Sequence, residues 1–355
     1  MTSQVAASGM LGLSGPSGPS GRRAQPCHPD LRTLLSSPGS RVVLLDGSRD
    51  PNSGVVMLLT ASGSTDPHLA VKVATTPAAA AVIEREARLL VALRGRQLPR
   101  TDRTVPRHAG VFDADGMLAF ATSVVPGVPM RTRYHAFRHL TRPSAVSGDF
   151  AAARDWLKAL HDDSMAAAAP IALLDGVAAR IAARWPDDAR ALTVAERLGP
   201  LAARLSSAGT PRTVVHGDFW VGNLLVRRDA VTGVVDWAGA ELSGEPLRDV
   251  VRFALSYSLY LDRHTRPGRP VRGHPGLRAD AWGAGIRYGM SGQGWYGQVV
   301  REFVQGALVR LGAPAGLWRD ALLAGLAEVA VTADHPDFGA QHRDLLLRLI
   351  CETRR

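Results

Sequence analysis

The chain has 355 residues, enough for about two structural units, and its 46% hydrophobic and 21% charged residues suit a globular protein with a sizeable core. No apolar run approaches the roughly 18 residues of a membrane-crossing helix, and the best candidate, residues 165–174, is ended by Asp175, so a cytoplasmic protein with no membrane partner is expected. The formal charge of +10 does not point to a specific nucleic-acid partner: the arginines are scattered and aromatics are only 6%, without the basic, aromatic-interleaved stretch that stacks bases.

Cys27 and Cys351 lie near opposite ends and fit neither a zinc spacing nor a disulfide framework, which suits a reducing compartment. Only Lys72 and Lys158 are lysine among 42 basic residues. In a chain that uses arginine almost everywhere, Lys72 within V-K-V suggests that a compact ammonium is needed there.

Residues 1–40 are rich in Gly, Ser and Pro and read as a disordered leader, without the features of a secretory signal. Strand-like runs follow at 41–45, 54–60 and 69–74, the third carrying Lys72. Residues 78–93 have helical periodicity and carry Glu84 and Glu86. Two further strands, 109–112 and 117–125, bracket the turn D-A-D-G. Ser123-Val124-Val125-Pro126-Gly127 then ends the strand region with a rigid Pro-Gly turn.

Residues 132–148 read as loop, 150–164 as a helix ending in Leu160-His161, and 171–184 and 192–207 as two more helices. His161 reads as a capping or packing residue. Past the centre, Asp249 opens a helix to Leu261, 263–278 is a Pro, Gly and Arg loop, a glycine-rich stretch follows, and 296–352 holds about three helices.

The informative stretch is 213–237, T-V-V-H-G-D-F-W-V-G-N-L-L-V-R-R-D-A-V-T-G-V-V-D-W. If 223–226 pairs with 233–236 as a hairpin, Asn223 lies beside Asp236, with Asp218 on the loop leading in. Two oxygen side chains converging near a third acid are the parts a phosphoryl-transfer site needs. Trp220, between Asp218 and Asn223, reads either as a stacking surface for a sugar or as a core tryptophan.

His216, Gly217, Asp218, Asn223, Asp236 and Trp237 agree in order and spacing with H-G-D-x-x-x-x-N…(I/V)-D-(W/F). This resembles the signature of the aminoglycoside phosphotransferase and choline kinase family. The resemblance implies an α+β, two-lobed protein-kinase-like fold: a five-stranded nucleotide-binding N-lobe with one helix over 41–125, and a mostly helical C-lobe over 126–355. It implies Asp218 as catalytic base, Asn223 and Asp236 as Mg²⁺ ligands, and Lys72 paired with Glu86 at the phosphates of ATP, GTP not being excluded. Glu84 is the alternative to Glu86. Ser123 and Val125 would meet the adenine edge, and Asp249 would be a structural acid tied to the catalytic loop.

A phosphate-covering loop should join the first two strands. Residues 46–54 lack G-x-G-x-x-G, although Gly47, Ser48, Asn52 and Ser53 offer donors; an ordinary hairpin loop accounts for them equally well. The function so implied is phosphorylation of a small-molecule hydroxyl; the alternative is a nucleotide-binding pseudokinase acting through protein contacts. A protein kinase would need D-F-G, A-P-E and an activation segment, which the sequence lacks.

Residues 250–355, expected to wall the acceptor, hold fourteen arginines against nine Asp and Glu, and 263–278 hold five arginines and no acid. A polycation needs carboxylates to pair its ammonium groups as they leave water. The balance therefore predicts a sugar, nucleoside or other natural-product hydroxyl as acceptor rather than a kanamycin-like compound.

Overall fold

The structure is a computed structural model that describes residues 29–36, 41–45 and 54–352. Gly47, Ser48, Asn52 and Ser53 lie outside the described residues, as does most of the leader. Part of that leader departs from the expected disorder. Residues 31–35 form helix α1 (Leu31–Leu35), whose first turn is capped by Asp30 accepting from the Arg32 amide at 2.8 Å. The low-complexity composition ends just before it, and Leu31 provides an apolar anchor.

Strands β1 (Arg41–Leu45), β2 (Val55–Thr60), β3 (Pro67–Val73), β4 (His108–Ala114) and β5 (Met117–Ser123) form one antiparallel sheet in the order β1-β2-β3-β5-β4. Asp115 and Gly116 join the last two with φ of 53° and 82°, the left-handed pair a two-residue hairpin turn requires. Side-chain alternation divides β3 between two jobs. Val71 and Val73 face away from helix α2 (Pro77–Arg94) and are buried with Leu59, Ala119, Ala121 and Leu31 of α1, while Lys72 faces α2.

Helix α2 starts where Thr76 Oγ1 accepts from the Ala79 amide at 3.1 Å and Pro77 takes the first position. Its inward residues Ala79, Ile83, Glu86, Ala87, Leu90 and Leu93 recur every three or four positions, so one polar residue, Glu86, lies on an otherwise apolar stripe.

Residues 124–127 lead into the helical lobe. There β6 (Val128–Pro129) joins the later central hairpin, and α3 (Met130–Tyr134) precedes α4 (Pro143–Ser164). The region expected as loop, 132–148, thus holds the end of α3 and the first turn of α4, whose start is set by Pro143. Strand β7 (Ala168–Pro170) pairs with β8 (Gly209–Pro211) around α5 (Val177–Arg184) and α6 (Ala189–Ser206). Helix α5 is shorter than the predicted 171–184 because Gly176, with φ of 68°, interrupts helical geometry just before Val177.

The central strands are β9 (Thr213–Val215), β10 (Leu224–Arg227), β11 (Ala230–Val234) and β12 (Glu241–Gly244). Behind them come α7 (Leu247–Leu259), α8 (Ala284–Met290), α9 (Gly294–Arg310), α10 (Trp318–Thr332) and α11 (Pro336–Glu352). Helix α8 falls within the glycine-rich stretch, and 263–278 contains no helix or strand. Among the described residues no helix is long and apolar enough to cross a membrane.

One core runs through both lobes. Its aromatic centre lies under the central strands: Phe219 stacks on Trp156 at 5.1 Å, and Phe253 meets Phe150 edge-on at 5.2 Å. His161 is fully buried against Arg310. Burial, reinforced by that guanidinium, pushes its pKa down to about 3; burial likewise brings His274 and His342 down to about 4.

These three histidines stay neutral in the fold but take up protons once unfolded, so their contribution to stability is complete above about pH 6.5 and is lost as pH falls toward 4. Stability should then drop by up to about 1.4 kcal/mol per pH unit for each histidine. Proton uptake on unfolding near pH 5, measured by calorimetry in buffers of different ionisation enthalpy, checks this; no uptake would refute it. Leu31→Ala should cost about 2 kcal/mol in urea melts by leaving a cavity on the outer sheet face.

Candidate active site

The structure brings Lys72, Glu86 and Asp236 together. Lys72 Nζ donates to Glu86 Oε2 at 2.6 Å and also to Asp236 Oδ1. Glu86 is buried, whereas Glu84 is exposed and pairs with Arg88 one turn along, so of the two glutamates it is Glu86 that pairs with Lys72. The other oxygen of Glu86 accepts the Trp237 amide at 3.1 Å, so one carboxylate holds both the lysine and the chain after Asp236. Burial works against the Lys72 ammonium, but Asp236 and Glu86 outweigh it and hold the pKa above the ordinary lysine value. The Lys72 charge in turn lowers the Asp236 carboxyl.

The hairpin expected around Asn223 and Asp236 forms. Leu224 pairs with Val234 and Leu225 with Gly233, with a bulge before Val226. The Val235 amide donates to the Asn223 carbonyl at 3.0 Å, placing Asn223 beside the residue that precedes Asp236. Asp236 has φ of 65°, unusual for a non-glycine residue, which turns its side chain out of the strand line.

Asp218 lies on the loop between β9 and β10, and that loop is fixed at every step. The His216 and Gly217 amides donate to Asp249 at 2.7 and 2.8 Å. His216 Nδ1 accepts the Asp218 amide at 3.2 Å, which leaves Nε2 as the donor to the Val235 carbonyl at 2.9 Å. Gly217 has φ of 83°, and a Cβ there would stand 2.0 Å from the Gly239 carbonyl oxygen, so no other residue fits. Asn223 Nδ2 donates to the Asp218 carbonyl at 2.9 Å and to its Oδ2 at 3.1 Å. Burial, only partly offset by His216, the two amides and Arg248, pushes the Asp249 carboxyl above its ordinary range.

Ser123 and Val125 sit at the junction of the lobes. Ser123 Oγ accepts the Arg107 amide at 2.9 Å, and the Val124 amide donates to His68 at 3.1 Å. The Val125 side chain packs over Gly233, where a Cβ would approach it to 2.6 Å. The Val125 backbone makes no hydrogen bond among the described residues.

Asp218 opens on a cleft of about 710 Å³ whose walls include Arg85 of α2, Arg180 of α5, Arg248 and Arg252 of α7, and Glu328 of α10. None of the five arginines of 263–278 lines it. The bulk charge count of the carboxy-terminal region therefore misrepresents the cleft, which is lined by four arginines and four acids. Sequence reasoning also missed Arg252, which reaches Asp218 Oδ1 through Nε at 2.9 Å and Nη2 at 2.7 Å. The signal available was its spacing, three residues after Asp249. Trp220 is half-buried at the edge of the core, beside a smaller cavity of about 120 Å³ that adjoins the cleft at Arg252, Val329 and Phe338.

Asp236 and Asn223 are hard oxygen donors at neighbouring positions, and the Asp236 side chain is 51% exposed. Among the described residues no three His, Cys, Asp or Glu side chains cluster as a self-sufficient metal cage. That donor set fits Mg²⁺, which is usually held by one or two carboxylates together with substrate phosphates and water. Asp249→Ala should cost about 3 kcal/mol of stability in denaturant melts by leaving two buried amides unpaired, with Asp249→Asn intermediate because one carboxamide oxygen serves a single amide. A loss under 1 kcal/mol for the alanine variant would show that the loop does not depend on this residue.

The family model described as "Phosphotransferase enzyme family" (APH) matches residues 52–282. No curated protein matches the chain. Among solved structures, the apo form of a thermostable mutant of aminoglycoside phosphotransferase APH(4)-Ia superposes with a TM-score of 0.53 at 14% identity, over 87% of this chain and 94% of that one. A thermostable mutant of the same enzyme in ternary complex with AMP-PNP and hygromycin B gives 0.52 at 12% identity, over 86% and 93%. At such identities the likeness concerns the fold, a small antiparallel N-lobe above a helical C-lobe. With the family model spanning well over half of its length, the chain belongs to the phosphotransferase enzyme family.

Proposed function

We propose that this protein transfers the γ-phosphoryl group of ATP to a hydroxyl of a small molecule. The observation that carries the reading is that Lys72 is joined to Glu86 and Asp236, while Asn223, on the strand paired with the one leading to Asp236, holds Asp218, which lines the cleft. A neighbour of the same fold is in complex with AMP-PNP, which accords with nucleotide use. Lys72, held charged by its two carboxylates, binds the phosphates, and the unpaired Val125 backbone offers a donor and an acceptor to the adenine edge beside Ser123. Asn223 and Asp236 hold Mg²⁺, which when bound neutralises phosphate charge. Asp218 orients the acceptor hydroxyl and takes its proton as the acceptor oxygen bonds to the γ-phosphorus, the bond from that phosphorus to the β–γ bridging oxygen breaks, and ADP leaves. Catalysis is then mainly positioning and electrostatics.

The acceptor we infer is neutral or anionic: a sugar, nucleoside or other hydroxylated natural product. The ground is local pairing. Arg248 engages Glu241 and also Glu328 at 2.7 Å, and Arg252 engages Asp218. These carboxylates are already matched by arginine, so several ammonium groups entering the cleft would compete for occupied partners.

Asp218→Asn should lower turnover by roughly 10² or more with nucleotide affinity intact; retention of more than about a tenth of the wild-type rate would remove Asp218 as base. Asp236→Ala should abolish the Mg²⁺ dependence of ATP affinity, with Lys72→Ala weakening binding separately. An unchanged Mg²⁺ dependence would count against the metal assignment. ATP consumption across a panel of neutral sugars, nucleosides, hydroxylated macrocycles and aminoglycosides tests the acceptor, and efficient turnover with kanamycin alone would overturn that part while leaving the transfer reaction standing.

A further inference from the structure

The loop that carries Asp218 is gripped from behind by one helix at two points. On α7, Asp249 takes the amides of His216 and Gly217, and Arg252, three residues later on the same face, takes the carboxylate of Asp218. Two side chains of one helix thus fix three consecutive residues of the loop. The support is rigid: Val250, Val251, Phe253 and Ala254, flanking and interleaving the pair, are nearly inaccessible to solvent.

The grip is also directional. Nε and Nη2 of Arg252 converge on Oδ1 of Asp218, while Asn223 Nδ2 meets Oδ2, so both carboxylate oxygens are held from different sides. A planar guanidinium with fixed donors constrains the plane of a carboxylate in a way a lone ammonium does not. Arg252 further stands at a boundary, since it lines both the cleft over Asp218 and the smaller cavity walled by Trp220, Leu255, Tyr260 and Phe338. Titratable and charged groups near it include Glu328 of α10, bridged to Arg248 four residues before Arg252, Arg180 of α5, and His342 of α11, whose pKa burial lowers to about 4.

We propose that Arg252 is a positioning residue for the transfer, its guanidinium holding Asp218 in the one orientation that faces an acceptor seated between the cleft and the Trp220 cavity. The inference rests on Asp218 being the base. Arg252 itself exchanges no proton and forms no bond with the transferred group.

The test compares wild type, Arg252→Ala and Arg252→Lys by steady-state turnover with MgATP and the acceptor panel, by AMP-PNP affinity in Mg²⁺, and by thermal melting. For Arg252→Ala, kcat should fall about tenfold to a hundredfold, the scale of a misplaced catalytic group, while AMP-PNP affinity and the KM for ATP stay within twofold. Arg252→Lys should recover part of kcat, because it restores the charge with a single, less constrained donor. Guanidinium ion added at non-denaturing concentration should raise the rate of Arg252→Ala and leave wild type unchanged, which a merely structural role would not produce. A kcat within threefold of wild type, or nucleotide affinity falling in step with kcat without guanidinium rescue, overturns the proposal. If wild type transfers phosphate to no member of the panel, the assignment of the reaction fails and takes this role with it. Active wild type with an unaffected Arg252→Ala overturns the positioning role alone.

Discussion

The protein depends on one charge, the Lys72 ammonium, placed where sheet, helix and central hairpin converge. Half-buried and shared between Glu86 and Asp236, it is tolerable only because both partners are present, since a buried charge left unpaired costs far more than a paired one gains. Each partner then constrains something else. Glu86 also receives the Trp237 amide, which fixes the chain just past the hairpin, and Asp236 keeps an unusual backbone conformation. The two lobes are therefore registered against each other by electrostatics at the point where phosphate binding is proposed.

Beneath that point the C-lobe acts as a mould for the loop carrying Asp218. A loop exposed to a cleft ordinarily loses order, because few apolar contacts hold it. Here Phe219 anchors it in the aromatic core, Gly217 permits the close pass by Gly239, and α7 supplies hydrogen-bond partners for the backbone and the side chain in turn. The consequence is preorganisation: on the proposed role for Asp218, its geometry exists before any substrate arrives, and binding need not supply the free energy to create it.

What could be read from the sequence and what could not follows from distance along the chain. The hairpin joining Asn223 to Asp236 was legible because its strands are a few residues apart and alternate around a turn. Lys72 was legible because strand order and its isolation among arginines agreed. Glu86 over Glu84 was harder, resting on which helical face is buried. Arg252 was harder still: its place three residues after Asp249 marks the helix face, but its partner is thirty-four positions away and that spacing does not name it. The acceptor cleft failed for a related reason, since counting charges over a hundred residues ignores which of them pair and which face elsewhere. Helix α1 was hidden by the composition around it, where Leu31, Leu34 and Leu35 against a sheet outweigh a run of Gly and Ser.

The scarcity of lysine has a practical corollary. Lys158 stands on the outside of α4, its side chain 54% exposed and paired with Asp162 one turn along, whereas Lys72 is recessed and held in its protonated form. A protonated amine is no nucleophile. Reagents that acylate lysines should therefore decorate Lys158 and spare Lys72, so that amine coupling to a surface or a dye leaves the proposed phosphate site chemically silent.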